Sequence, residues 1–232
     1  MSALEPAAFG VELLDDPAAA PAEVGASLRN IARANRWLGG AAAVRFGLDR
    51  ALDGAHHPDS PLTLLDVGTG LGDLPRMARA WAASRGLELI PVGLERNAAA
   101  ARLARDGGLS AVVGDGGTLP LGDRSVDLVL LSQVAHHFAP AAIVRLVREC
   151  DRVARRAVIV ADLHRSGLAA LGWRLASVAL RFDPNTVRDG VTSIERGFSA
   201  ASLGALLHEA GIRAPVTRRP GARLVAVWRP AG

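Results

Sequence analysis

Apolar residues recur at helical spacing from about Pro21. Val24, Leu28, Ile31 and Leu38 fall on one face with Asn35 among them, and Gly39-Gly40 supplies a stop. A second helix is predicted over roughly 41–52, ending before Gly54, with "GAHHPDSP" as a loop. Upstream, residues 1–20 are rich in Ala and Pro and show little periodicity, which predicts a poorly ordered or loosely docked arm.

After Pro61 the pattern changes to short apolar runs alternating with amphipathic segments. "LTLLDVG", "IPVGLE", "SAVVGD", "SVDLVLLSQ" and "RAVIVADL" read as buried strands. Pro91 predicts that the second ladder begins only after it. "DLPRMARAWAASRG" reads as a helix with Leu74, Met77, Ala78 and Trp81 inward, Pro75 being tolerated in its first turn. "RNAAAARLARDGG" and "PAAIVRLVRECDRVA" are further helices, and 166–181 looks helical. "RFDPNTVRDGVTSIERGF" has no pattern of its own and reads as loop. "SAASLGALLHEAG" is a helix with Ser199 as N-cap and Gly211 as stop. Two last strands, about 212–217 and 223–229, are joined through "RRPGA", so one runs antiparallel to the other. Strands alternating with helices predict an α/β fold: a Rossmann-like doubly wound sheet, mostly parallel, closed by an antiparallel hairpin strand. Residues 1–55 are then an N-terminal arm and helical lid. Residues 56–232 form the main domain, with a helical cap inserted at about 163–198.

Composition narrows the setting. Half of the 232 residues are apolar, enough for a sizeable core. One cysteine, Cys150, cannot form an internal disulfide, which points to a reducing, cytoplasmic location; on a helix interior it is expected buried and inert. No signal peptide and no membrane-spanning run is apparent. The pI near 10.9 with a net charge of only +4 arises because the basic residues are arginines with no tyrosine to titrate. Those arginines are scattered without interleaved aromatics, so no nucleic-acid partner is expected.

The densest chemical signal is "LLDVGTGLGDLP", where Gly68, Gly70 and Gly72 follow a strand ending at Asp66. Glycines there permit a sharp turn and close backbone approach to a ligand at the carboxyl ends of the strands. A dinucleotide fingerprint needs a third glycine where Asp73 stands, and that carboxylate would repel a pyrophosphate. An NAD(P)-dependent oxidoreductase is the disfavoured alternative from another class.

The spacing G-x-G-x-G after Asp66 resembles the first motif of class I S-adenosylmethionine (SAM)-dependent methyltransferases, specifically the small-molecule type of ubiquinone and menaquinone biosynthesis. The resemblance implies SAM as cofactor and S-adenosylhomocysteine as product. It implies that Asp66, Gly68, Thr69, Gly70 and Gly72 shape the cofactor loop. Glu95 would hold the ribose and Asp115 the adenine, with Arg96, Gly116 and Ser132, at the mouth of the fourth strand, as further cofactor-binding residues. His136 and His137 follow that strand. A histidine there is suited to take a proton from a substrate hydroxyl, and family-like placement favours His137. No third metal ligand is visible at helical or strand spacing, so no metal is expected.

An acceptor needs walls beyond the sheet. Asn35, Arg36 and Trp37 in the first helices are candidates, as are His164, Arg165, Trp173 and Arg196 in the insertion, with Asp162 beside them. Leu168, Leu171, Leu175, Val178 and Leu180 give the insertion a broad apolar face, which either packs on protein or lines an acceptor pocket. The expected reaction is O-methylation of a small apolar or aromatic phenol or enol. C-methylation of such a ring is the runner-up, and a SAM-binding protein without transfer activity is a third reading. A homodimer is a further expectation.

Overall fold

In the computed structural model, residues 4–5, 7–8, 10, 12–16, 18–53 and 60–230 are described. The loop expected at 54–61 falls almost wholly outside them. Helices α1 (Pro21–Trp37) and α2 (Gly40–Leu52) precede β1 (Leu62–Val67). Then come α3 (Asp73–Ala83), β2 (Leu89–Glu95), α4 (Ala98–Asp106), β3 (Ser110–Val113), β4 (Val126–Ser132), α5 (Pro140–Val153) and β5 (Ala154–Leu163). The chain closes with α6 (Gly167–Ala179), α7 (Pro184–Arg196), α8 (Ala200–Glu209), β6 (Val216–Arg219) and β7 (Arg223–Trp228).

The seven strands lie in the order β3-β2-β1-β4-β5-β7-β6. All pairings from β3 to β5 are parallel, and β7 alone is reversed, inserted between β5 and β6. The period-2 alternation of the strands divides the core. Leu65, Val129, Leu131, Val158 and Leu224 face α5 and α8, whereas Leu64, Leu128, Leu130, Ile159 and Val225 face α2 and α3. Val44 and Leu48 of α2 are fully buried in the second layer, so α2 is part of the sheet's core, whereas α1 and Glu12, Leu14 and Asp15 before it lie at the cavity mouth. Cys150 is buried in the first layer, where burial pushes its thiol up to about 12.

Four expectations are corrected. β2 begins at Leu89 and contains Pro91, opposite Leu64. Its ladder to β3 starts only at Val92, so the missing N–H falls where β2 has one neighbour. The segment 181–198 is no loop: Pro184 at the first turn and the Asp183 side chain, accepting from Thr186 N, start α7. The arm is firmly docked, with Leu4 buried and a 3-10 turn at Leu13–Asp15 pinned to α7 by Leu13 N donating to Asp189 Oδ2 at 2.9 Å. β6 also starts later than expected, at Val216.

Candidate active site

A cavity lies over the carboxyl ends of β1, β2, β4 and β5. Its floor is the loop after β1. Gly68, Gly70 and Gly72 have φ of 77°, 53° and 72°, which side chains rarely adopt. A Cβ at Gly68 would also strike Val134. Glu95 ends β2 and is buried. Its two oxygens accept from Gly70 N at 3.0 Å and Asn97 N at 2.9 Å, so the carboxylate is oriented by the loop it serves. Asp66 accepts from Thr69 Oγ1 at 2.7 Å. Burial, with Asp73 and Glu95 nearby, pushes its carboxyl up to about 7. Burial also raises Asp73, whose Oδ2 accepts from Asn35 Nδ2 at 3.0 Å.

The other half of the cavity is assembled from distant segments. His136 and His137 sit in a 3-10 turn (Ala135–His137) just beyond β4, with ring centroids 4.3 Å apart. His136 is 3% exposed, and its Nδ1 lies 2.7 Å from Asp162 Oδ1 at the end of β5. Burial alone would lift Asp162, but His136 and backbone N–H groups hold it below the usual carboxylate range. An ionised carboxylate only accepts, so Nδ1 carries the proton of that bond. Nε2 is left without a hydrogen-bond partner among the described residues, on a ring that lines the cavity.

His137 is held differently. Its Nδ1 is 2.9 Å from Asp15 Oδ1 and its Nε2 3.9 Å from Glu12 Oε2, so both ring nitrogens face carboxylates of the arm. Arg196 of α7 sits behind them, 3.1 Å from Glu12 Oε1 and 2.9 Å from Asp15 Oδ2, while Ser193 Oγ donates to Glu12. Burial raises Glu12. It would raise Asp15 too, but His137 and Arg196 pull that group well below its ordinary range. Glu12 thus supplies a third donor beside the histidines, within 4.8 Å, which sequence spacing did not reveal. The Arg196 guanidinium already occupies the cationic place against that carboxylate, so the cluster is satisfied as ion pairs.

Of the residues expected at the site, Asp66, Gly68, Thr69, Gly70, Glu95, Arg96, Ser132, Asn35, His136, His137 and Trp173 line the cavity. Gly72 shapes the loop from behind the lining. Asp115 and Gly116 stand outside it, with Asp115 Oδ1 accepting from Gly117 N. Arg196 is one layer back. Arg36 and Trp37 are not in the wall; Trp37 is 65% exposed under the Arg36 guanidinium. His164 and Arg165 pair with Phe198 through their backbone, away from the cavity. The broad apolar face of α6 does not line it either: Leu168, Leu171, Leu175 and Val178 face solvent, and Trp173 on the opposite side reaches inward, donating to Val187 O at 2.9 Å.

Sequence reasoning missed Glu12, Asp15, Asp189, Ser193 and Arg223. Within α7 a signal existed: Thr186, Asp189, Gly190, Ser193 and Ile194 recur at helical spacing, and all line the cavity. That face is polar and small, so a search for apolar periodicity passed over it. Arg223, at the start of β7, is 7% exposed and pulled down to about 10 by burial against the favourable field of Asp162.

Residues 65–161 match the family model described as a methyltransferase domain. No curated protein matches the chain significantly by sequence. Among solved structures, the fold is similar to a SAM-dependent methyltransferase from Aquifex aeolicus, with a TM-score of 0.61, 17% identity, and 91% of this chain and 99% of that one covered. It is also similar to human N-acetylserotonin methyltransferase in complex with SAM, with a TM-score of 0.62, 14% identity, and 92% and 57% covered. Magnesium protoporphyrin IX methyltransferase from Synechocystis, with bound S-adenosylhomocysteine, gives 0.54, 14%, 84% and 83%.

Proposed function

We propose that this chain, whose residues 65–161 match a methyltransferase domain and whose fold is similar to that of SAM-dependent methyltransferases, uses SAM to methylate a hydroxyl oxygen of a small, largely apolar phenol or enol. The cofactor fits the site on the chain's own geometry. The glycine loop turns through φ values that side chains rarely adopt and packs backbone against Val134 at Gly68, and Glu95 presents an oriented carboxylate whose remaining lone pairs suit a pair of ribose hydroxyls. When bound, SAM supplies a methyl group on a cationic sulfur, open to in-line attack.

The protein's task is then to hold an oxygen nucleophile in line and take its proton. The observation that carries the reading is the buried His136–Asp162 pair. Asp162 fixes the tautomer by accepting from Nδ1, leaving Nε2 free to accept from an acceptor hydroxyl in the cavity. This moves the base from His137, which the sequence favoured, to His136. With carboxylates at both ring nitrogens, His137 is placed to donate, and it anchors the arm over the cavity. Leu14, Ile31, Phe138, Trp173 and Ile194 provide the apolar walls that suit a ring. The 3-10 turn at Leu13–Asp15 and α1 act as the lid.

The test is transfer of labelled methyl from SAM to a panel of phenols, hydroquinones and enolisable β-diketones, with product analysis for the methylated atom. An O-methyl product that disappears in His136→Gln supports the reading. C-methylation of an electron-rich ring can use the same base and would show as a carbon–methyl bond in the product. Binding of SAM without transfer to any member of the panel would count against catalysis on this acceptor class.

A further inference from the structure

Arg223 carries a buried charge that no carboxylate contacts among the described residues, with Asp162 acting on it only from beyond ion-pair distance. Its guanidinium is closed in at the β5–β7 end of the cavity, next in register to Leu163 and so one residue from Asp162. Nη1 donates to Gly221 O at 3.1 Å and Nη2 to Gln133 Oε1 at 3.2 Å. Nε has no partner, and no carboxylate lies within ion-pair distance among the described residues. A buried cation without a counter-ion is costly, and the cost is removed by an anion that its free N–H groups can grip.

The neighbour that holds it is itself constrained. Gln133 sits at φ 56°, unusual for a residue with a side chain, and its N donates to Ala161 O at 2.8 Å. Its amide links Arg223 on one side to Asn35 Oδ1 on the other at 2.6 Å, and Asn35 continues to Asp73 beside the glycine loop. A polar relay therefore runs from β7 to the cofactor loop, with the guanidinium at its end.

We propose that Arg223, oriented by Gln133, forms a carboxylate-binding subsite in this cavity. Two sources offer that chemistry: the carboxylate of the cofactor's amino-acid tail, or an acid group on the acceptor. The first source rests on the SAM reading above; the second does not. In either case the carboxylate accepts from Nε and a remaining Nη hydrogen, the two-pronged geometry that Arg offers and Lys does not.

The experiment is titration calorimetry on the full chain and its Arg223→Met and Arg223→Lys variants. One arm compares SAM with its decarboxylated analogue. The other compares 2-naphthoate with 2-naphthamide, with and without S-adenosylhomocysteine. If the cofactor's tail is the ligand, the parent prefers SAM over the decarboxylated analogue by 10-fold or more. That preference collapses in Arg223→Met, while affinity for the analogue holds. If the acceptor supplies the acid, the collapse appears in the naphthoate arm instead. Melting separates a subsite from a structural arginine. Removing an uncompensated buried cation should leave the ligand-free Arg223→Met protein as stable as the parent or more so. Arg223→Lys, folded and still charged, should keep only part of the discrimination. The proposal is overturned if Arg223→Met, or Arg223→Lys should the former not fold, shows the parent's discrimination in both arms. Failure of SAM to bind the parent would instead defeat the methyltransferase reading, leaving the naphthoate arm to decide the subsite.

Discussion

The two halves of the cavity are built by different means. The floor under the cofactor is mostly local: Thr69 bonds Asp66 three residues away, Asn97 bonds Glu95 two away, Gly70 bonds Glu95 25 away, and Asn35 reaches Asp73 over 38. The other side, where we propose that the acceptor binds, is assembled across the whole chain. Asp15 meets His137 over 122 residues, and Glu12 meets Ser193 and Arg196 over 181 and 184. Backbone and glycine dominate the first half, and buried charges the second. A floor made of short-range contacts is largely in place once β1, β2 and their turns form. The acceptor half exists only when the arm, the turn after β4 and α7 have met, and it stays together through ion pairs that are costly to break singly.

The sharpest way to break this comparison is at the base. His136→Gln should lower turnover by about 10²–10⁴-fold, the usual worth of a general base, while leaving SAM affinity near the parent value. Asp162→Asn should lower it in the same direction by releasing the tautomer. Single-turnover rates alongside calorimetry give the two numbers. Parent-like turnover in both variants would leave the histidine as a wall of the cavity.

The arm is the next target. Arg196→Met leaves Glu12 and Asp15 buried against each other, and removing one partner of a buried pair costs about 3–5 kcal/mol. The cost should fall on docking of the arm rather than on the sheet. Hydrogen exchange should therefore quicken at Leu13–Asp16 and in α7 with little change at β1 or β4. Adding Glu12→Gln to that variant should recover part of the protection. Uniform loss of protection across the sheet would show that the arm is no separate unit.

How much of this was legible in the sequence follows the same division. The glycine loop, Glu95 and the strand ends were readable because the chemistry and its scaffold lie within one βα unit, where spacing is the geometry. α6 was read as a helix, but its apolar stripe misled: Leu168 and Val178 face solvent, and the inward position belongs to Trp173. α7 was missed because the face it buries is Thr186, Asp189 and Ser193, whose partners are on the arm and in α1. Nothing in "FDPNTVRDGVTSIERG" announces Glu12. Pairing of this kind is decided by tertiary contact, and a single sequence carries no trace of it. Arg223 was hidden for a related reason: an arginine opening a strand reads as solvated until the neighbouring strand shows where it points.

Titration offers a third comparison, because the halves carry carboxylates shifted in opposite directions. Asp66 is raised to about 7 by burial, so the folded state holds its proton more tightly than the unfolded chain. Its contribution to stability is full below the ordinary range near 4 and is lost as pH rises through about 7. Asp15 is lowered by His137 and Arg196, so its contribution is present above that ordinary range and is lost as pH falls below it. The ligand-free protein should therefore lose stability between about pH 4 and 7, by at most about 1.4 kcal/mol per pH unit for this single proton. Asp66→Asn keeps an acceptor for Thr69 and should flatten the slope, though only partly, since burial raises Glu12 and Asp73 as well. Denaturant midpoints at three pH values suffice, and an unchanged slope in the variant would put the proton elsewhere.

The smallest effect belongs to Glu95. Its oxygens already accept from Gly70 N and Asn97 N, so part of its work is to hold the loop and part is left for a ligand's hydroxyls. Glu95→Gln keeps one accepting oxygen and exchanges the other for a donor. Charge-assisted hydrogen bonds lost in this way are worth about 1.5–3 kcal/mol, or roughly 10–100-fold in affinity. The loss should appear in the dissociation constants of SAM and S-adenosylhomocysteine alike, because ribose is common to both. At saturating SAM the rate should return to the parent value, because no contact specific to the reacting atoms is removed. A variant that binds normally but turns over slowly would mean that Glu95 acts on the acceptor half through the loop, and the two halves would no longer be independent.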